Sequence, residues 1–135
     1  APAADWIWGA PALANGTLIY ADVLGNVYAV DAQTGDLVWQ MEVMGAVQTR
    51  PVIVDNTVYI ASEGDLEVEQ GQLTAFSLAT GEVLWQQSTP APLYTTPVVV
   101  DDGTIVVAMQ SDSALLVGFD PEAGSQRWVI APPAS

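Results

Sequence analysis

One short pattern of residues occurs three times in this chain. It reads AVDAQTGDLVW at 29–39, AFSLATGEVLW at 75–85 and GFDPEAGSQRW at 118–128. Each copy begins with a small residue, has glycine as its seventh residue and ends on tryptophan as its eleventh. A constant length with constant key positions is typical of a repeated structural unit, so we predict three copies of one unit.

A second pattern precedes each copy of the first. A proline begins an apolar run, a turn of Asn, Asp or Gly follows, and a threonine leads into a second apolar run; these prolines are Pro11, Pro51 and Pro97. The spacing between the two patterns varies, whereas the pattern that ends on tryptophan keeps its length. Variation confined to the turns indicates one domain over 1–135. Its repeats are expected at about 9–46, 47–92 and 93–132.

The apolar runs within each unit predict β-strands. In the first unit, TLIYAD, NVYAVD and LVWQMEV are short, rich in β-branched and aromatic residues, and separated by glycine-containing turns. No stretch keeps a 3.6-residue period, so we expect almost no helix. A unit of about 40–45 residues with four strands has the size of one β-propeller blade. The predicted fold is therefore all-β, with three four-stranded blades.

The repeated positions have physical roles in such a blade. The glycine that follows Thr or Ala supplies the positive φ that a tight hairpin requires, and an aspartate four residues earlier can cap the turn. A small first residue leaves room for the indole ring, whose N–H needs a partner. We predict that these residues form a structural tryptophan-docking set between adjacent blades: Ala29, Asp31, Gly35, Trp39, Ala75, Gly81, Trp85, Gly118, Asp120, Gly124 and Trp128.

The pattern A-x-D-x-x-x-G-x-x-x-W, preceded by LGNVYA, resembles the tryptophan-docking motif of PQQ-type (quinoprotein-type) β-propeller repeats. The first repeat matches fully, whereas the second has Ser77 in place of aspartate and the third has Gly118 in place of alanine. This family includes quinoprotein alcohol dehydrogenases and BamB-type outer-membrane assembly lipoproteins, and the chain is more similar in character to the latter. The resemblance implies that the docking tryptophans are structural and carry no chemistry.

The number of blades departs from the family pattern. The resemblance implies seven or eight blades, whereas this chain has three. Three blades alone leave sheet faces uncovered. We therefore expect an incomplete propeller, which is either part of a larger one or a set of blades that several chains complete.

The composition excludes several classes of function. The chain has 2 basic and 16 acidic residues, no histidine and no cysteine, with a net charge of −14. Nucleic acids and anionic lipids require a basic surface, so neither is an expected partner, and no apolar run is long enough for direct membrane insertion. Thiolate and imidazole chemistry is absent. We predict no catalytic, cofactor-binding or metal-binding residues in these blades.

An acidic stretch, SEGDLEVEQGQ at 62–72, offers one alternative to this prediction. Its carboxylates alternate at Glu63, Asp65, Glu67 and Glu69. On an extended strand they would share one face, where oxygen ligands could gather a hard cation such as calcium. A solvated turn is the simpler interpretation and the one we favour.

Two residues are candidates for an interaction surface. Arg50 precedes Pro51 in VQTRPV, and Tyr94 occupies the matching place of the next repeat, in APLYTTP. Both lie next to the first strand of a blade, the strand that faces the central channel of a propeller. Because Arg50 is one of only two cations in an acidic chain, an ion pair with a nearby carboxylate is the default expectation for it. The alternative is that Arg50 and Tyr94 line this channel and form an interaction surface.

Together these features predict a non-enzymatic, extracytoplasmic propeller scaffold of the periplasm, cell envelope or secreted fraction, similar to BamB-type propellers. Its expected partners are other protein chains or the remaining blades of a larger propeller. They would bind by strand addition at an exposed sheet edge or by docking into the loops between blades. Two alternatives stay open: a fragment of a PQQ-dependent quinoprotein dehydrogenase whose catalytic blades lie elsewhere, and a propeller module appended to a larger membrane or secreted protein.

Overall fold

Three antiparallel sheets make up the regular structure of the chain. A computed structural model describes residues 11–47, 49–65, 67–68, 70–93, 96–109 and 116–131. The first blade contains β1 (Ala12–Ala14), β2 (Thr17–Ala21), β3 (Asn26–Asp31) and β4 (Leu37–Glu42). The second contains β5 (Val52–Val54), β6 (Thr57–Asp65), β7 (Gln70–Ser77) and β8 (Val83–Thr89). The third contains β9 (Val98–Val99), β10 (Ile105–Ala108), β11 (Leu116–Phe119) and β12 (Gln126–Ile130).

Each blade is a simple meander, in which strands that follow one another in sequence pair antiparallel. Short turns suffice for such connections, and the turn residues predicted from the sequence supply them. The described part of the chain contains no helix, and so none that could span a membrane. The prediction of an all-β fold with three four-stranded blades is confirmed.

Two hydrophobic cores lie between successive blades. Because side chains alternate along a strand, the second blade packs one face against the first blade and the other against the third. The first core contains Ile19, Val27 and Trp39 of the first blade with Val58, Ile60, Phe76 and Leu78 of the second. The second core contains Tyr59, Leu73 and Trp85 of the second blade with Ile105, Val107, Val117 and Phe119 of the third.

A buried carboxylate holds the β2–β3 turn. Asp22 accepts hydrogen bonds from the backbone N–H groups of Leu24 and Asn26, both at 3.0 Å, and from the hydroxyl of Tyr28 at 3.0 Å. The Tyr28 ring also stacks on Tyr20, with ring centroids 5.0 Å apart. Burial raises the pKa of Asp22, but the hydrogen bonds from Asn26, Tyr28 and Leu24 outweigh it and hold that pKa below its usual value.

We expect Asp22→Asn to lower the free energy of unfolding by about 1–3 kcal/mol at pH 7, because a neutral amide accepts weaker hydrogen bonds than a carboxylate. The folded-state pKa lies below the usual 3.8. The stabilising contribution of the Asp22 carboxylate is therefore fully present above about pH 3.8. It is lost as the pH falls through the folded-state pKa. Urea unfolding should show a smaller difference between variant and wild type at pH 3 than at pH 7. Asp36→Asn, in an exposed turn, is the control; an equal difference at both pH values would contradict this role of Asp22.

Candidate protein-interaction site

The first junction between blades is held by Trp39 of β4. Its indole Nε1–H donates to the carbonyl of Leu78 in the second blade, at 2.8 Å. The ring lies directly over Gly81, where an added Cβ would be only 2.6 Å from Trp39 Cδ2. Trp39 is 8% exposed. The indole of one blade thus covers the glycine turn of the next.

The second junction repeats this geometry with Trp85 of β8. Its indole N–H donates to the carbonyl of Pro121 in the third blade at 3.0 Å, and Tyr59 donates to the same oxygen at 3.0 Å. A Cβ on Gly124 would lie 2.4 Å from Trp85 Cδ2. Trp85 is 9% exposed. The two junctions therefore bring together matching residues of successive repeats.

The predicted small residues lie opposite the tryptophans. Each small residue lies in the third strand of its blade and is the pairing partner of the tryptophan in the adjacent fourth strand. The pairs are Ala29 with Trp39, Ala75 with Trp85, and Gly118 with Trp128. The register between the third and fourth strands shifts immediately after the small residue in every blade. Such a bulge changes the direction in which a side chain points, and here it lies next to the tryptophan that reaches towards the following blade.

The two aspartates of the repeated pattern, Asp31 and Asp120, cap their turns. Asp31 Oδ1 accepts from the N–H groups of Gln33 and Thr34, at 2.8 and 3.2 Å. Asp120 Oδ1 accepts from Glu122 and Ala123, at 2.9 and 3.3 Å. In the second repeat, where Ser77 replaces aspartate, the Gly81 N–H still bonds the Ser77 carbonyl at 2.8 Å. That turn is closed by its backbone.

Arg127 crosses the third blade to two carboxylates. Its guanidinium lies 3.7 Å from Asp102 and 3.6 Å from Asp120, and it donates to the Thr104 hydroxyl at 2.6 Å. The N–H groups that cap Asp120, together with this guanidinium, hold the pKa of Asp120 below its usual value. The guanidinium of Arg127 therefore binds residues in the turns of its own blade.

Arg50 is placed differently from Arg127. Its side chain is exposed, and its backbone N–H donates to the Thr96 hydroxyl at 2.9 Å, which links the residues preceding β5 and β9. Within the described ranges its guanidinium makes no ion pair. The other candidate, Tyr94, lies outside the described residues.

The acidic stretch does not form one continuous strand face. Glu63 is buried within β6, whereas Glu67 lies in the turn that follows this strand. Glu69 lies outside the described residues. Among the residues that the structure describes, no group of three or more Asp, Glu, His or Cys side chains could hold a metal ion.

The outer edges of the blades expose apolar side chains. In the described part of the chain, β4, β8 and β12 are each the last strand of their sheet, paired on one side only. Val38 in β4 and Leu84 in β8 are both about half exposed. Neither strand contains lysine or proline, which are the residues that commonly prevent an edge from pairing with another strand. Both strands therefore have one edge without a paired strand among the described residues and carry an exposed apolar side chain.

The buried turn at Asp22 was not predicted from the sequence as part of any site. The only signal for it is an aspartate four residues before the asparagine of a Gly-Asn turn. Such a pattern also occurs in exposed turns. The burial of Asp22 depends on contacts from outside the turn, such as that with Tyr28.

Comparison with known families gives one match over nearly the whole chain. The profile of the family described as outer membrane protein assembly factor BamB matches residues 2–134. No curated protein sequence matches the chain.

Several solved structures have the same fold. BamB from Moraxella catarrhalis aligns with a TM-score of 0.74 at 18% identity, over 94% of this chain and 37% of that one. A europium-containing methanol dehydrogenase aligns with a TM-score of 0.76 at 16% identity, over 90% of this chain and 31% of that one. The computationally designed Ika4 protein aligns with 0.76 at 14% identity, over 96% and 74%. The chain thus spans about a third of the first two structures, and identities this low show the fold alone.

Proposed function

Because the chain belongs to the family of outer membrane protein assembly factor BamB, we propose that it is a non-enzymatic scaffold that binds other proteins outside the cytoplasm. The family match and the structural similarity to quinohemoprotein alcohol dehydrogenases confirm the resemblance to PQQ-type propeller repeats. The scaffold role goes further than this membership. The observation that carries it is the pair of exposed apolar edge strands, β4 and β8.

The chemistry of these edges favours an extended polypeptide as the partner. A free sheet edge presents unpaired backbone N–H and C=O groups, which an incoming strand satisfies while its side chains contact neighbouring surface. Val38 and Leu84 occupy the position immediately before the tryptophan in their blades, so the two edges present the same apolar feature. Strands of outer-membrane proteins alternate apolar and polar residues over about ten residues. When a segment of this kind pairs with β4 or β8, one of its apolar side chains can contact Val38 or Leu84.

The test uses a fluorescein-labelled ten-residue peptide of alternating valine and threonine with blocked termini. We expect saturable binding to the wild-type chain by fluorescence anisotropy. In the double variant Val38→Lys/Leu84→Lys the Kd should rise at least about tenfold, roughly 1.4 kcal/mol, because lysine at an edge opposes strand addition.

The matched control is the double variant Leu24→Lys/Val68→Lys. It makes the same change in charge at two exposed apolar residues that lie on neither β4 nor β8. We expect it to bind the peptide like the wild type. No binding by the wild type, or equal weakening in both double variants, would contradict the proposed edge.

Arg50 and Tyr94 remain a proposed second contact, of which the structure describes Arg50, just before β5. The exposed guanidinium of Arg50 is a cation on a chain with a net charge of −14. It would bind a carboxylate of a partner that approaches this end. The propeller-module alternative, in which the partner belongs to the same polypeptide, fits this surface equally well.

The quinoprotein alternative is favoured by the structural similarity to the methanol dehydrogenase. The residues of this chain do not fit a cofactor site of that type, because it has no cysteine for a disulfide against the quinone and no described cluster of three carboxylates for a calcium ion. Titration of the chain with PQQ and calcium distinguishes the two functions. Saturable quenching of tryptophan fluorescence would favour the dehydrogenase fragment over the scaffold.

A further inference from the structure

The edge strands β4 and β8 share a pattern of charge as well as an exposed apolar side chain. A carboxylate lies two residues before the apolar residue in both blades, with Asp36 before Val38 and Glu82 before Leu84. Both carboxylates are exposed. Each of the two edges therefore begins with a negative charge close to its apolar contact.

The turn that precedes each strand fixes the backbone at the carboxylate. The N–H of Asp36 donates to the Thr34 hydroxyl at 3.2 Å. In the same way the N–H of Glu82 donates to the Thr80 hydroxyl at 3.2 Å. The carbonyls of Asp36 and Glu82 each accept a backbone hydrogen bond at 2.8 Å from the residue five positions earlier. The main chain thus holds the two acidic residues at equivalent places in their blades.

The third blade shows that this turn does not require a carboxylate. Ser125 occupies the position of Asp36 and Glu82 there. Its carbonyl accepts the same backbone hydrogen bond at 2.8 Å. The third edge also carries Arg127 at the position of the exposed apolar residue, so it lacks both features. Closure of the turn therefore does not explain the charge at the first two edges.

No cation of the described chain neutralises these two carboxylates. The chain contains two arginines and no lysine. Arg127 pairs with carboxylates of the third blade, and neither Asp36 nor Glu82 forms an ion pair with a described residue. The negative charge at the two edges is thus available to a partner.

We propose that β4 and β8 select extended segments that carry lysine or arginine close to the apolar residue that contacts Val38 or Leu84. A basic side chain there would pair with Asp36 or Glu82 across the two strands, and opposite charges in such pairs stabilise strand pairing. An acidic segment would be repelled at the same place. This inference rests on the proposed binding of strands by β4 and β8, to which it adds the chemistry of the partner.

The test compares three fluorescein-labelled peptides by fluorescence anisotropy at about 0.15 M salt, where charges further apart than about 8 Å are largely screened. One is the neutral peptide of alternating valine and threonine. The other two replace its first and last threonines with lysine or with glutamate, so that either strand direction brings a charge near the carboxylate. We expect the lysine peptide to bind with a Kd about two- to fivefold lower than the neutral one, the range for one cross-strand charge pair. The glutamate peptide should bind more weakly than the neutral one.

The double variant Asp36→Asn/Glu82→Gln removes both carboxylates and keeps side chains of nearly the same shape. In this variant the three peptides should bind with nearly the same Kd. The matched control is Asp55→Asn/Asp101→Asn, which removes two exposed carboxylates in the turns before β6 and β10. It reduces the negative charge by the same amount, and we expect it to keep the preference for lysine.

The outcomes separate this inference from the scaffold proposal. If the wild type binds none of the three peptides, the strand-binding edge itself is wrong, and the basic selectivity fails with it. If the wild type binds all three with equal Kd, the edges bind strands and only the selectivity is wrong. If both double variants reduce the preference for lysine equally, the attraction comes from the net charge of −14 rather than from the two edges, which also overturns the inference.

Discussion

Gly81→Ala should lower the free energy of unfolding by about 2–5 kcal/mol, the sum of about 1–2 for a side chain in the left-handed region and about 1–3 for overpacking. The added methyl group would lie 2.6 Å from Trp39 Cδ2, and the ring cannot retreat without opening the first core. The change therefore acts on the turn and on the junction between blades together.

Gly35→Ala separates these two effects. It introduces the same backbone strain, at φ of +77° against +76°, but its methyl group meets no atom of the described residues within 4 Å. We expect a loss of about 1–2 kcal/mol, the strain alone. Urea unfolding measures both variants. Equal losses would show that the Trp39 ring moves away from the added methyl group at no cost, so that overpacking adds nothing to the backbone strain.

Trp39→Ala should lower the free energy of unfolding by about 3–5 kcal/mol, the usual cost of truncating a buried large aromatic residue. Its ring contacts Phe76 at a centroid distance of 6.0 Å and covers Gly81, so its loss opens a cavity between the first two blades. Trp128→Ala removes the same side chain from an exposed position. Under dilute conditions we expect it to cost much less.

Phenylalanine at the two buried positions tests the role of the indole N–H. Trp85→Phe leaves the Pro121 carbonyl with Tyr59 as a donor. Trp39→Phe leaves the Leu78 carbonyl with no other donor among the described residues. An unsatisfied buried acceptor costs about 1–3 kcal/mol, so Trp39→Phe should be the more destabilising of the two. The opposite order in urea unfolding would assign the difference to ring packing instead.

The blades could be predicted from the sequence because their signals are local. The turn glycines and the β-branched runs act within a few residues, and they recur three times. The contacts between blades could not be predicted from such local signals. The acceptor of the Trp39 indole is a backbone carbonyl 39 residues away, at Leu78, and no side chain marks it.

The acidic stretch shows why burial was harder to predict than strand formation. Glu63 and its neighbours look like a solvated turn by composition, yet β6 continues to Asp65 and Glu63 is buried. Packing from the preceding loop causes this, since the Glu63 and Gly64 N–H groups donate to the carbonyls of Ala46 and Met44. A tertiary contact of this kind overrides local polarity and leaves no pattern in the sequence.

The placement of the second blade between two cores has a consequence for cooperativity. Each blade contacts only its neighbours in the chain, so the stability of the array resembles a sum of blade terms and nearest-neighbour coupling terms. The second blade takes part in both couplings, whereas each outer blade takes part in one. Unfolding of the second blade would therefore remove both couplings at once, whereas unfolding of the first or the third would remove one of these two. In such an array the cooperativity of unfolding depends on the number of coupled blades more than on the stability of any single blade.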